Sequence, residues 1–413
     1  MTQTTFLDPS TSPLMAWVPT QEAAAERLNQ FCGRAGASYA KRRNYDLCPA
    51  DRSSVSALSP WLRHRVLLEE DVLRTVLQQH TLSSAEKFVQ EVLWRGYFKG
   101  WLEHHPTVWV RYKSRLLELA DQLEKDQSLE QRYADAIGGQ TGIECFDAWS
   151  TELVQHGYLH NHARMWFASL WIFTLRLPWE LGADFFLRHL LDGDPASNTC
   201  SWRWVGGLHT KGKTYLARAD NIEKFTEGRF NPDGELALKA LPLQESNLPP
   251  PREIAPIQDE PEEGCVGLLI TEEDCSPESL HLSRYPTSVL ALASPTERSI
   301  WPTGELARSF SSGSVNDAAQ RAEAAFSVPV EMSDDNEWAQ VIADWAAAHH
   351  LDAVVTARLP VGSVRKRVIN AMKVCGLPLV EITRPYDWSV WPHTKRGFFA
   401  LKKKIPSIIE HLV

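Results

Sequence analysis

The chain has 413 residues, 43% of them apolar and 23% charged, with a formal net charge of −9. That length exceeds one ordinary core and predicts two domains of a globular protein, not a disordered chain. The acidic balance excludes a protein that coats nucleic acid without specificity. The excess is uneven, because residues 1–240 carry 27 Lys plus Arg against 29 Asp plus Glu and the remainder 16 against 23. A local basic groove around Lys41, Arg42 and Arg43 is compatible with this. The apolar run Met165 to Leu175 is too short to span a bilayer, and the opening MTQTTFLDPS has no secretory character. Seven cysteines lie scattered without zinc-type spacing, which predicts free thiols in a reducing cytoplasm.

From residue 21 to about 230 the pattern is helix after helix. Gln21–Gly36, Leu67–His80, Ser83–His105, Val108–Leu123, Phe146–His156, Asn161–Leu175 and Glu180–Leu191 carry apolar residues at helical spacing, separated by Gly, Pro, Ser or Asn. No period-2 strand interrupts them, so residues 1–240 read as one large all-α domain. Residues 241–263, with three consecutive prolines and a run of acids, read as a linker that packs no core. Beyond it VGLLIT, SVLALA, LDAVVTA and LPLVEIT read as buried strands, with helices at Trp338–His349 and Ser363–Cys375. Strands alternating with helices predict a smaller, doubly wound α/β Rossmann-like domain over 264–413. No glycine-rich phosphate motif lies at a strand-to-helix turn, and the basic run Lys402–Lys404 reads as a solvated helix start.

Three segments of the helical part mix polar and aromatic residues on one face. In EVLWR, Glu91, Trp94 and Arg95 stand at i, i+3 and i+4, with Phe88 one turn earlier. In HNHARM, Asn161, Arg164 and Met165 repeat that spacing and leave His162 rotated away. The third segment, LLDGDPASNTCSWRW, sets Asp192, Gly193 and Asp194 after a helix end, then Asn198, Trp202 and Trp204; alone it supports no more than a capped turn. Sixteen tryptophans are many for this length, and most serve packing.

In this order, and together with Tyr39, Arg43, SALSPWL and TGIECFDAW, these segments resemble the FAD-binding domain of DNA photolyases and cryptochromes, over roughly Trp17 to Asn231. The resemblance implies a bent FAD held by Tyr39, by Ser56, Leu58 and Ser59 of a phosphate loop (Val55 stands where the family has threonine), and by Phe88, Arg95, Asn161, Arg164, Asp192, Gly193 and Asp194. It sets Asn198 beside flavin N5, where plant-type sensory cryptochromes carry aspartate. Trp202 and Trp179 match the first two rings of an electron-transfer chain; the third position falls near Asp126, which leaves Trp109, Trp166 or Trp171 as substitutes. Arg43, Glu91, Trp94, Asn161, His162, Met165 and Trp204 match positions that grip a flipped cyclobutane pyrimidine dimer in UV-damaged DNA, single-stranded DNA included. Enzymes for (6-4) photoproducts carry histidines in place of Asn161 and Met165.

The implied activity is that of a deoxyribodipyrimidine photo-lyase, in which photoexcited reduced FAD splits the dimer, with Glu91, Asn198, Trp202 and Trp179 as its catalytic residues. The alternative is a cryptochrome-like blue-light photoreceptor, favoured by His162 at the position of a DNA-gripping arginine and by the missing third tryptophan; Ala217 falls near another such arginine, with Arg218 one residue away. The segment LDAVVTARLPVGSVRKRVINAMKVCGLPLVEIT is similar to the end of the family's α/β antenna domain, so the resemblance implies a swapped domain order, with the antenna chromophore left open. No metal site is expected, and a monomer is favoured.

Overall fold

A computed structural model describes residues 17–254, 263–293 and 298–412. Twelve α-helices fill the first part: α1 (Gln21–Cys32), α2 (Ala37–Arg42), α3 (Ser59–Arg63), α4 (Glu69–Leu77), α5 (Leu82–His104), α6 (Thr107–Lys125), α7 (Gln127–Gly138), α8 (Glu144–His156), α9 (Asn161–Ser169), α10 (Trp179–His189), α11 (Trp202–Val205) and α12 (Ala219–Phe225). The expected helix Gln21–Gly36 stops four residues early, because the Gly33 amide turns back to Phe31 and a second helix starts at Ala37. The expected Asn161–Leu175 helix passes into a π-helical turn at Leu170–Thr174, and a second such turn spans Pro195–Cys200. Both lie beside the residues of interest, where such widened turns recur.

Residues 241–254 form no helix or strand, as the proline run predicts, yet they are not a free linker. Leu243, Leu248 and Ile254 pack on the core. Arg111 donates to the carbonyls of Ser246 and Asn247 (2.9 and 3.0 Å), Arg252 to the carbonyl of Glu103 (2.7 Å), and Arg203 pairs with Glu245. Three well-spaced apolar side chains and arginine-satisfied carbonyls make this stretch a strap.

The second part holds β1 (Val266–Thr271), β2 (Ser288–Leu292), β3 (Val330–Ser333), β4 (Ala353–Ala357) and β5 (Leu379–Ile382), all parallel in the order β3-β2-β1-β4-β5. Helix α13 (Glu305–Phe326) joins β2 to β3, α14 (Trp338–Ala348) joins β3 to β4, and α15 (Ser363–Cys375) joins β4 to β5. The central strands are buried on both faces. Leu269, Leu290 and Val354 face α14 and α15 through Ile342, Trp345 and Val368; Leu268, Val289 and Val355 face the core continuous with the helical part. This is a doubly wound α/β layer beside an all-α one.

Three further helices, α16 (Pro385–Val390), α17 (Phe399–Lys402) and α18 (Ile405–Leu412), return to the helical part and close over α4 and α5. Gly100 of α5 permits this. A Cβ there would stand 2.6 Å from Thr394 Oγ1 and 2.9 Å from Trp391 Cα. Helix α5 is thus covered on most of its circumference, which explains its lack of a clean polar face.

Candidate functional site

The site is built around the turn between α10 and the π-helical segment. Asp194 caps that segment, accepting from the amides of Ala196 (3.0 Å) and Ser197 (2.6 Å). Gly193 must be glycine, since a Cβ would lie 2.6 Å from the Leu187 carbonyl. Asp192, 1% exposed, receives two hydrogen bonds from Arg164 (2.8 and 3.0 Å) and one from Arg95 (3.3 Å). Burial alone would raise its carboxyl, but Arg164, then Arg95, with a hydrogen bond from Ser59, hold it well below the usual carboxylate range. For Asp194 burial is likewise outweighed, by Lys99, Arg63 and Arg95, and its pKa falls to about 2.

The spacing logic of the sequence is realised here. Arg95 on α5 and Arg164 on α9 meet over one carboxylate, and Asn198 completes the group. Its amide oxygen accepts from Arg164 Nη1 (2.7 Å), and its nitrogen donates to the Asp192 carbonyl (2.8 Å) and to Ser197 Oγ (3.0 Å). At 7% exposure it faces the interior of the site, not bulk water.

A second wall comes from α2 and α5. Tyr39 meets Phe88 edge-on at 5.3 Å, and Arg43 forms an ion pair with Glu91. Burial pushes the Glu91 carboxyl up, and Arg43 only partly opposes it. Trp94 is stacked by Phe398, at 3.7 Å between ring centroids and 11° between planes. Trp204 stacks on Tyr215 at 5.5 Å. Met165 is half-buried on α9, and Asn161 is exposed at that helix's start. His162 is turned inward: Nδ1 meets the Asn44 carbonyl at 2.9 Å, and the ring stacks on Trp166 at 4.0 Å.

Sequence reasoning passed over Tyr158. It is buried, with the Arg164 and Arg52 guanidinium groups over its ring at 5.3 and 4.8 Å. Its signal was the aromatic two residues before His160 in GYLHNHARM.

The loop before α3 is the remaining wall. Leu58 is fully buried, Ala57 holds a left-handed φ of 54°, and the Leu58 amide approaches Ser56 Oγ at 3.4 Å. Ser54 Oγ is buried without a hydrogen-bond partner among the described residues. Arg27 donates to the Ser56 carbonyl at 2.7 Å, and Arg34 donates to that of Ser53. Neither arginine has a carboxylate partner among the described residues. Burial and the neighbouring Arg34 lower the Arg27 pKa. An orphaned hydroxyl, unneutralised guanidinium groups and a helix start fit the pyrophosphate of a dinucleotide, while the Asn198 amide and the Arg95–Asp192–Arg164 group fit the polar edge of a flavin. The residues present therefore suit FAD.

The two expected electron-transfer rings have different neighbours. Trp202 lies edge-on to Phe186 (5.0 Å) and Trp171 (6.1 Å); Trp171 continues to Tyr133 (6.2 Å), and Tyr133 to Trp301 (6.1 Å). Trp179 lies against Tyr112 (5.9 Å), which stacks on Trp109 (5.1 Å). Asp126 caps α7. A cavity of about 320 Å³ opens elsewhere, between Trp17, Arg52, His156, Leu191 and Phe310, and none of the residues expected from the sequence lines it.

Among the described residues no helix is long and apolar enough to cross a membrane, and no cluster could hold a metal ion. A family model described as the FAD binding domain of DNA photolyase matches residues 88–267. The deoxyribodipyrimidine photo-lyase of Synechococcus is 31% identical over 216 residues, covering 50% of this chain and 43% of the relative. That of Thermus thermophilus is 30% identical over 231 residues, covering 56% and 52%. Among solved structures, a class III photolyase from Agrobacterium tumefaciens is 28% identical with a TM-score of 0.43, covering 51% of this chain and 43% of that one. A cryptochrome from Synechocystis is 22% identical, also with a TM-score of 0.43, covering 50% and 43%. The chain thus spans about half the length of the curated relatives it matches. The cofactor of the matched domain is FAD, in agreement with the donor set described above, and over residues 88–267 the chain is similar to the FAD binding domain of DNA photolyase.

Proposed function

We propose that the protein is a light-dependent repair enzyme that takes a cyclobutane pyrimidine dimer into the space between Glu91, Trp94, Asn161, Met165 and Trp204. The observation that carries this is Glu91, a half-buried carboxyl with a raised pKa at the rim of the Arg95–Asp192–Asn198 group. A carboxyl that protonates easily donates to a thymine carbonyl, and its partner Arg43 is released to a strand phosphate when the lesion enters. Trp94, held flat by Phe398, offers a rigid face on which a flipped base stacks. Asn198, held by Arg164, Asp192 and Ser197, lies beside the flavin edge in this reading. Reduced FAD, when bound, supplies the light-driven electron that splits the cyclobutane ring. Tyr39, Ser56, Leu58, Ser59, Phe88 and the Asp192–Gly193–Asp194 turn hold and bend that cofactor. Trp202 starts an aromatic path through Trp171, and Trp179 a second one through Tyr112 and Trp109.

One observation favours the photoreceptor reading instead. His162 is committed to Asn44 and Trp166 and offers nothing to a phosphate, and Ala217 has no charge to offer. Fewer phosphate contacts mean weaker DNA binding.

The two readings separate in one assay. Reduced, FAD-loaded protein is illuminated with an oligonucleotide carrying one thymine dimer, and recovery of thymine absorbance is followed. Repair is expected, and Glu91→Ala lowers its rate about 5- to 150-fold, the cost of leaving one buried thymine carbonyl without its hydrogen bond, with flavin content unchanged. No recovery by the parent protein overturns the repair reading.

A further inference from the structure

The segment Lys395–Lys404 belongs to neither strand nor long helix, yet it reaches the wall of the candidate pocket. Phe398 is buried face-to-face on Trp94. The next residue, Phe399, is 76% exposed. Around it Arg396, Lys403 and Lys404 are exposed, and none of the three has a carboxylate partner among the described residues. Lys395 and Lys402 are neutralised by Glu253 and Glu86.

Tyr97 ties this segment to a second cationic stretch. Its hydroxyl donates to the Arg396 carbonyl (2.9 Å) and meets Nε2 of His209 at 2.8 Å. His209 opens the turn that exposes Lys211 and Lys213, and Gly212 at its tip has nothing within 4 Å of a would-be Cβ. Two segments distant in sequence therefore form one rim beside Trp94, with five cations that have no carboxylate partner among the described residues and a bare aromatic ring. A solvated helix start explains the lysines; it does not explain an exposed phenylalanine next to one that is locked against the pocket.

We infer that this rim is a second DNA-binding surface, which grips the strand flanking the flipped lesion. Arg396, Lys403, Lys404, Lys211 and Lys213 contact its phosphates, and Phe399 stacks on a base. The occupant follows from the chemistry: alternating cations and an exposed ring suit a single strand, whose backbone is anionic and whose bases each offer a π-face. The rim also replaces what the chain lacks at His162 and Ala217. The inference rests on the repair reading for the identity of the lesion.

The test uses the full-length, FAD-loaded protein and a short single-stranded oligonucleotide with and without one thymine dimer, bound over a range of salt. Phe399→Ala is expected to weaken binding about 5- to 150-fold, one base–aromatic stack, without changing the salt dependence. The triple variant Arg396→Ala, Lys403→Ala, Lys404→Ala is expected to flatten the slope of log K against log salt by about 2, as three lost phosphate contacts on a single strand require. Unchanged flavin absorbance in both variants shows that the fold persists. If both bind like the parent, with the same salt slope, the rim is not a DNA surface, while the repair reading stands on Glu91. If the parent itself binds neither oligonucleotide, the rim inference and the repair reading fall together; binding without light-driven recovery of thymine overturns only the repair reading.

Discussion

Two groups of buried charge lie within one turn of each other and behave differently. Between the layers, Arg63 pairs with Glu273 (2.8 Å), Arg298 with Glu272 (3.0 Å), Arg65 with Asp387 (2.5 Å), and Arg384 with Asp274 (2.6 Å), every one of these side chains at most 3% exposed. Around Asp192 the arginines are 11% and 13% exposed, and Asn198 beside them is 7% exposed. The first group is closed: each arginine has its own buried carboxylate partner, three of them, Glu272, Glu273 and Asp274, just past the end of β1. The second is open, with donors to spare. Buried charge marks a ligand site only where it is incomplete.

Breaking the closed group should cost the most fold stability. Arg65→Ala leaves the carboxylates of Asp387, Asp274 and Glu69 facing one another in the interior, and a loss of about 3–5 kcal/mol is expected in urea denaturation. The protein that remains folded should keep its flavin. Breaking the open group should reverse that ranking. Arg164→Ala leaves Asp192 with Arg95, so a smaller loss of about 1–3 kcal/mol is expected in the ligand-free protein, together with at least a tenfold weaker retention of FAD on dialysis. Equal effects of the two variants on flavin retention would erase the distinction.

Acid offers a third comparison. His160 is buried, and burial lowers its pKa to about 3. Its Nδ1 accepts from the His162 amide at 3.1 Å, which fixes the neutral ring. Because the folded value lies below the ordinary 6.5, the unfolded chain takes up the proton first. Stability is therefore complete above about pH 6.5 and is lost as pH falls toward 3, at about 1 kcal/mol per unit for this group. His160→Asn retains a helix cap and should shallow the decline of the thermal midpoint between pH 6.5 and 4.5. The smallest effect is expected at the loop before α3. Ala57→Gly relieves a left-handed alanine but frees the unfolded chain, and the folding free energy should change by less than about 1 kcal/mol. A larger gain would mean that this loop stores more strain than its angle suggests.

Much of this was legible in the sequence. The four called strands stand where VGLLIT, SVLALA, LDAVVTA and LPLVEIT lie, because strands buried on both faces must be continuously apolar. Strand β3 escaped notice because it is an edge, half-exposed and carrying Glu331. Helix α13 did so because its serines, alanines and glycine blur the helical period. The spacing i, i+3, i+4 placed Arg95 and Arg164 each on the polar face of its own helix, which is local; their meeting over Asp192 was implied only by the family resemblance. Phe398 on Trp94 was invisible for the opposite reason: nothing in either segment announces a partner that far along the chain, and the small residue at position 100 that lets the return helices close in reads merely as a weak spot in a helix.

That late closure bears on how the protein matures. As the ribosome delivers the polypeptide, α5 emerges early with its flank bare, and Tyr386, Trp391, Phe398 and Leu401 arrive only after the whole α/β layer has been synthesised. Trp94 then gains its backing ring last of all. The wall at Trp94 is consequently completed only after the α/β layer has been made, and nascent chains stalled inside that layer should expose a greasy helix for chaperones to hold.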